Sequence, residues 1–239
     1  MKDNKIQYSV VVCSCNKLPY LKVVAQEIRK QLPDGELILS DDFSTDGTLE
    51  WAEGSGIFNS IVSQESDNGY CLSTIRNKGI DASTRDHIVL LDADCLPRDE
   101  YFAGHSSTFE VFPDCISVGV THQYDKAGQN MLLEDHRVAM LEGAKTKDIS
   151  WRDSFGGNIA FQKEAWNLVD RFDEDFNGAW GYEDLDFALR ASKRGILLKL
   201  SRDAVVRHLQ HPVNSAVDAS NLKSANYHVF KNKYGFYPV

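Results

Sequence analysis

Between Tyr8 and Leu91 the apolar positions alternate between two rhythms. Continuous runs rich in β-branched residues, at Tyr8–Cys13, Glu36–Ser40, Ile57–Val62 and His87–Leu91, have the form of strands buried on both faces. Segments with helical spacing separate them. Leu18–Leu32 places Leu21, Val24, Ala25, Ile28 and Leu32 on one stripe, with Pro19 suited to a first turn. Asp46–Glu50 starts a second helix with an acidic cap, and Leu72–Ala82 forms a third. Strands alternating with helices in this way predict a parallel sheet with crossover helices. Such sheets bind ligands at the carboxyl ends of their strands. Three of the four runs end in polar or acidic clusters: Ser14-Cys15-Asn16, Asp41-Asp42 and Asp92-Ala93-Asp94. The clusters are therefore expected along one edge.

Beyond Asp94 the pattern loosens. Helices are predicted at Tyr101–Val111, Met131–Glu142, Glu183–Lys193 (stopped by Gly195) and Asn221–Tyr234. Strands are predicted at Ile116–His122, Asn158–Phe161, Ile196–Leu200 and Ala204–His208, and the polar stretch Gly143–Asp153 reads as a mobile loop. No repeat, low-complexity segment or linker divides the chain. A single α/β domain is expected, with residues 1–98 and 99–239 as its two halves.

Composition narrows the function classes. A 42% hydrophobic fraction over 239 residues is enough to bury a sizeable core. The net charge of -9 argues against nucleic-acid binding, which needs a basic face. An acidic chain can still hold an anionic ligand through a divalent metal. No apolar run approaches the ~18 residues that span a bilayer, which leaves room only for peripheral membrane association. Met1–Gln7 lacks the form of a signal peptide, so a cytoplasmic location is expected. The five cysteines, odd in number and matching no common zinc spacing, point to a reducing compartment.

Four features carry chemistry. Asp92 and Asp94, two apart after a strand, can face one hard cation, although a short acidic triplet also suits a plain turn. Asp41 and Asp42 could accept hydrogen bonds from a nucleobase or a ribose, or simply belong to a capped turn. Trp180-Gly181-Tyr182-Glu183-Asp184 opens a helix. Its rings and acids suit sugar stacking and hydroxyl recognition, against the alternatives of core aromatics and an ordinary acidic first turn. His208 ends a strand and becomes a metal candidate only beside that carboxylate pair, with His211 competing three residues on.

Taken in order, these features resemble the family-2 glycosyltransferases of the GT-A fold. The resemblance covers nearly the whole chain: Val10–Asn16, Asp41–Thr48, Ser73–Gly79, Asp92-Ala93-Asp94, Phe155–Asn158 and Trp180–Asp184. The last two look like the acceptor half of galactosyltransferases and chondroitin-type polymerases. The resemblance implies a nucleotide-sugar half (1–98) and an acceptor and catalytic-base half (99–239). It implies a UDP-sugar donor bound by Ser14, Cys15, Asp42, Arg76, Asp92, Ala93, Gly156 and Gly157. Within this set, Asp42 would contact uracil and Asp92 the ribose, and the two glycines would let backbone approach the sugar. Asp94 and His208 would hold Mn²⁺ or Mg²⁺. A saccharide or glycoconjugate acceptor would meet Glu183, Trp180 and Tyr182, with Asp184 as the base. Asp184 stands where related retaining enzymes carry Asn, which favours inversion. Cys15 stands where the family often has Tyr. Two other classes fit the residues less well: a nucleotidyltransferase, whose Gly-rich phosphate loop is missing from residues 10–20, and a weakly catalytic sugar-nucleotide-binding module, which would lack the base or the triplet.

Overall fold

The computed structural model describes residues 6–211 and 225–238. The amino-terminal half follows the predicted rhythm: β1 (Tyr8–Ser14), α1 (Leu18–Gln31), β2 (Glu36–Asp41), α2 (Thr48–Ser55), β3 (Ser60–Ser63), α3 (Leu72–Ala82) and β4 (His87–Asp92). Then follow β5 (Cys95–Pro97), α4 (Tyr101–Val111), β6 (Ile116–Tyr124), β7 (Met131–Leu133), β8 (Thr146–Asp148), β9 (Asn158–Gln162), α5 (Lys163–Val169), α6 (Glu183–Lys193), β10 (Leu198–Leu209) and α7 (Ala225–Tyr234).

One sheet runs in the order β3-β2-β1-β4-β9-β6-β10-β5, with β7 added to β6 and β8 to β10. Its first four strands are parallel, as are β6 and β10, while β9 runs antiparallel to both β4 and β6. Both faces are covered. Val10, Val12, Leu37, Leu39, Val89 and Leu91 pack with α1, α2 and α4. Val11, Ile38, Ile88 and Leu90 pack with α3, α5 and α6. Odd and even residues of the same strands thus enter different cores, which is why the runs are continuous rather than alternating. Among the described residues no helix is long and apolar enough to cross a membrane.

Beyond Asp94 the chain departs from the pattern in five places. Met131–Glu142 is not a helix: β7 is followed by a 3₁₀ turn at His136–Leu141. Asp135 explains the break, because its carboxylate accepts from the Arg137 amide at 2.9 Å and binds the Arg137 guanidinium in a buried pair. Gly143–Asp153 is not a structureless loop: β8 pairs with β10, and a 3₁₀ turn at Trp151–Asp153 stacks Trp151 on Phe230 of α7 at 5.7 Å. The two expected strands at Ile196–Leu200 and Ala204–His208 are one strand, β10, with a bulge between Ser201 and Val205. β5 and α5 lie where no element was expected. Of the helix expected at Asn221–Tyr234, Asn221 to Ser224 lie outside the described residues, and α7 accounts for the rest.

Candidate active site

Register brings the acidic clusters together. Ser14 pairs with Asp41 across β1 and β2, and Cys13 with Asp92 across β1 and β4. The carboxyl ends of three strands are therefore level, and side chains just past them share one cleft.

Asp94 is the most crowded carboxylate in that cleft. It is buried, with His208 Nε2 3.6 Å from Oδ1, and with His211 Nε2 and Lys17 Nζ each 3.1 Å from Oδ2. β10 presents His208, whose Nδ1 lies 2.8 Å from Gln123 Oε1 on the paired strand β6. When Nδ1–H donates to that amide, Nε2 keeps its lone pair toward Asp94, the arrangement that metal-binding histidines use. Burial works to raise the Asp94 carboxyl, but His211, His208 and Lys17 outweigh it and hold it well below the usual range. Cys95 adds a buried sulfur 3.9 Å from Oδ1. A carboxylate and imidazole nitrogens within this span form a donor set that fits a divalent ion, and Asp94, Cys95 and His208 are close enough to share one. His208 Nε2 faces Oδ1 and His211 Nε2 faces Oδ2, and of the two histidines it is His208 that falls in the tight group with Asp94 and Cys95.

Arg76, projecting from α3, is the second centre. Its guanidinium is 2% exposed, 2.7 Å from Glu183 Oε1 and 3.7 Å from Asp92 Oδ1. Burial disfavours its charge, yet Glu183 and Asp92 keep it protonated. The partner side of the pair is less comfortable. Burial first, and the charge of Asp184 next, push Glu183 up to about 7 against the pull of Arg76. Enclosure likewise raises Asp92, with Arg76 opposing and Asp94 adding to the rise. Gly156 and Gly157 seal this group: a Cβ on Gly156 would lie 2.8 Å from Arg76 Nη1, and one on Gly157 would overlap the Asp92 carboxylate. Gly157 also accepts a 3.1 Å bond from the Asp92 amide.

Glu183 and Asp184 open α6. The chain enters it through two left-handed residues, Gly181 and Tyr182, with φ of 89° and 73°. A tyrosine in that region costs about 1–3 kcal/mol, and neighbouring structure holds it there. Asn226 of α7 donates to the carbonyls of Phe176, Ala179 and Gly181 at 2.7, 2.9 and 2.9 Å, and Tyr227 packs on the Tyr182 ring at 5.7 Å. The turn points Glu183 inward to Arg76. Asp184 stays half-buried and accepts from the Gly156 and Leu185 amides at 3.0 and 2.8 Å. Trp180 is exposed.

Asp42 accepts a 2.8 Å bond from the Cys71 amide at the start of α3, and burial raises its carboxyl. Cys15 lies half-buried beside it, and burial followed by Asp42 pushes its thiol to about 11. Ser14 Oγ and Ser73 Oγ are buried without a hydrogen-bond partner among the described residues. Arg76 makes its ion pairs with Glu183 and Asp92. Lys17, Tyr20 and Asn226 were missed in the sequence. Lys17 and Tyr20 looked like the ordinary start of α1, and Asn226 like one polar residue of a tail helix.

Comparisons with known proteins bear on the family and the fold. The model "Glycosyl transferase family 2" matches residues 9–169, more than half of the chain, and "N-terminal domain of galactosyltransferase" matches residues 137–212. Chondroitin synthase of Escherichia coli is 24% identical over 85% of this chain and 35% of its own length, and chondroitin synthase of Pasteurella multocida is 25% identical over 71% and 21%. The chain thus spans about a third or less of these relatives. Among solved structures, S. aureus TarS 1–349 in complex with UDP-GlcNAc superposes with TM-score 0.68, 15% identity and coverage of 88% of this chain and 60% of that one. GalNAc-T7 with UDP, GalNAc and Mn²⁺ gives 0.68, 18%, 88% and 45%. These two likenesses bear on the fold, which is GT-A. With the strand-end acids, the Arg76 cluster and the α6 entry all inside the matched regions, the chain belongs to glycosyl transferase family 2.

Proposed function

We propose that this chain transfers a hexose or N-acetylhexosamine from a UDP-sugar to a hydroxyl of a saccharide acceptor, with inversion at the transferred carbon. The observation that carries this reading is the pairing, in one cleft, of a nitrogen-ringed carboxylate with a half-buried one at a helix start. Asp94, His208 and His211 would hold a divalent ion, Mn²⁺ or Mg²⁺. Such an ion neutralises charge on a leaving diphosphate. Asp42, with Ser14 and Cys15, would bind the base, and Asp92 the ribose. Arg76 keeps Asp92 and Glu183 apart as charges and fixes both.

Asp184 is the base in this reading. Two backbone amides hold its carboxylate in the first turn of α6. Held there, it would accept the proton of the acceptor hydroxyl. Glu183 would orient the acceptor, and exposed Trp180, with Tyr182, would offer it ring faces. One base opposite the leaving group gives single displacement and therefore inversion.

The test is UDP release from a panel of UDP-sugars, with and without Mn²⁺. Asp184→Asn should lower turnover about 10²–10⁴-fold while UDP binding persists. Turnover indifferent to this substitution removes the base assignment, and turnover indifferent to chelation removes the metal. The α- or β-configuration of the product tests inversion.

A further inference from the structure

Asp94 has three nitrogen partners, and the third, Lys17, is absent from the chemistry above. Lys17 lies in the bend between β1 and α1. Its carbonyl starts α1 by accepting from the Tyr20 and Leu21 amides at 3.0 and 2.9 Å, a role any residue can fill. Its side chain turns the other way: Nζ is 3.1 Å from Asp94 Oδ2 and 5.7 Å from the centre of the Tyr20 ring. Tyr20 in turn packs edge-on against His211 at 6.2 Å. The ammonium therefore shares one carboxylate oxygen with the imidazole of a proposed metal ligand.

A carboxylate this enclosed, beside the like charge of Asp92, needs a counter-charge. Lys17 supplies it in the structure described here. The same ammonium would face strong repulsion once Asp94 and the histidines held a doubly charged ion. Its flexible stem rises from the bend that also carries Ser14 and Cys15, on the donor side of the cleft. We propose that Lys17 is an exchangeable counter-ion, which holds Asp94 until a divalent ion takes its place and then passes to the phosphate oxygens of the nucleoside diphosphate. This rests on the metal site proposed above. It makes the two ligands cooperative. Metal binding alone leaves an ammonium unpaired, the nucleotide gives it a new partner, and linkage makes the coupling reciprocal.

Mn²⁺ titration followed by electron paramagnetic resonance, with and without UDP, tests it on the wild type, Lys17→Gln, Lys17→Arg and Asp94→Asn. Lys17→Gln should bind Mn²⁺ about tenfold tighter without nucleotide, and UDP should enhance that binding about tenfold less than in the wild type. Lys17→Arg, which keeps the charge, should follow the wild type. A lysine with only a structural role would weaken Mn²⁺ binding when replaced, so the sign decides. Unchanged or weaker nucleotide-free affinity in Lys17→Gln overturns the exchange, and unchanged coupling to UDP overturns the transfer to phosphate. Mn²⁺ binding that survives Asp94→Asn, or that is missing from wild type and Lys17→Gln alike, removes the metal site and the exchange with it.

Discussion

At the scale of single residues the cleft is a balance of charges, and Glu183 is where it is least settled. Its carboxyl sits 2.7 Å from Arg76, yet burial and Asp184 push it from 4.5 to about 7. A native pKa above the unfolded one means that the folded chain keeps a proton the unfolded chain releases. Glu183 therefore lowers stability as pH rises from about 4.5 to about 7, with no further change above that. The shift corresponds to a change on the order of 3 kcal/mol. Glu183→Gln keeps the shape and an oxygen for Arg76 but cannot titrate. Urea unfolding at several pH values should show a shallower fall across this window in the variant than in the wild type. Identical slopes would mean that Glu183 stays ionised throughout and that Arg76 wins the contest.

At the scale of elements, α7 supports the proposed catalytic turn. Asn226 is 1% exposed and shares its two amide hydrogens among three carbonyls of the 176–181 segment. A second tie lies one turn into α6: Asp186, fully buried, binds Arg190 at 2.6 Å, Lys233 at 2.7 Å and the Tyr234 hydroxyl at 2.6 Å. Asn226→Ala leaves the buried Phe176 carbonyl without this donor, at a cost of about 1–3 kcal/mol, and frees the left-handed turn before Glu183. Turnover should fall more than UDP affinity, because Asp42 and Asp94 do not depend on this turn. Equal losses in both would indicate general unfolding instead. None of this support was visible in the sequence. The strands β1, β2 and β4 were legible because each is buried on both faces, and the acids at their ends were legible with them. Asp92, Asp94, His208, Glu183 and Asp184 stand out in the sequence because they lie at or near element ends, where periodicity stops. β8 has no apolar residue and joins β10 through backbone pairing and the Asp148–Lys199 ion pair, so no hydrophobic pattern could mark it. Met131–Glu142 has apolar residues at helical spacing, and only the long-range bonds of Asp135 and Arg137, to Thr121, Asp153 and Gly119, reveal why it is not a helix.

At the scale of the whole molecule the question is whether the two halves unfold together, and the sheet argues that they do. The boundary between residues 98 and 99 falls beside the antiparallel β5–β10 pairing, and β9 from the second half inserts between β4 and β6. Removing the second half would bare the hydrogen-bonding edge of β4, whose Val89, Leu90 and Leu91 are fully buried, and would strip Arg76 of Glu183. Neither the core nor the cleft is complete within residues 1–98. We therefore propose one cooperative unit. Of the four tryptophans, Trp51 alone lies in the first half, packed edge-on against Phe58 at 6.1 Å, whereas Trp151, Trp166 and Trp180 lie in the second. A variant keeping only Trp51 reports on the first half by fluorescence, while far-ultraviolet circular dichroism reports on the whole chain. For a two-state unit the two urea transitions coincide in midpoint and slope. An earlier or later Trp51 transition would show that the halves part before either unfolds. In that case the Arg76–Glu183 and β4–β9 contacts would form an interface between two domains rather than the centre of one.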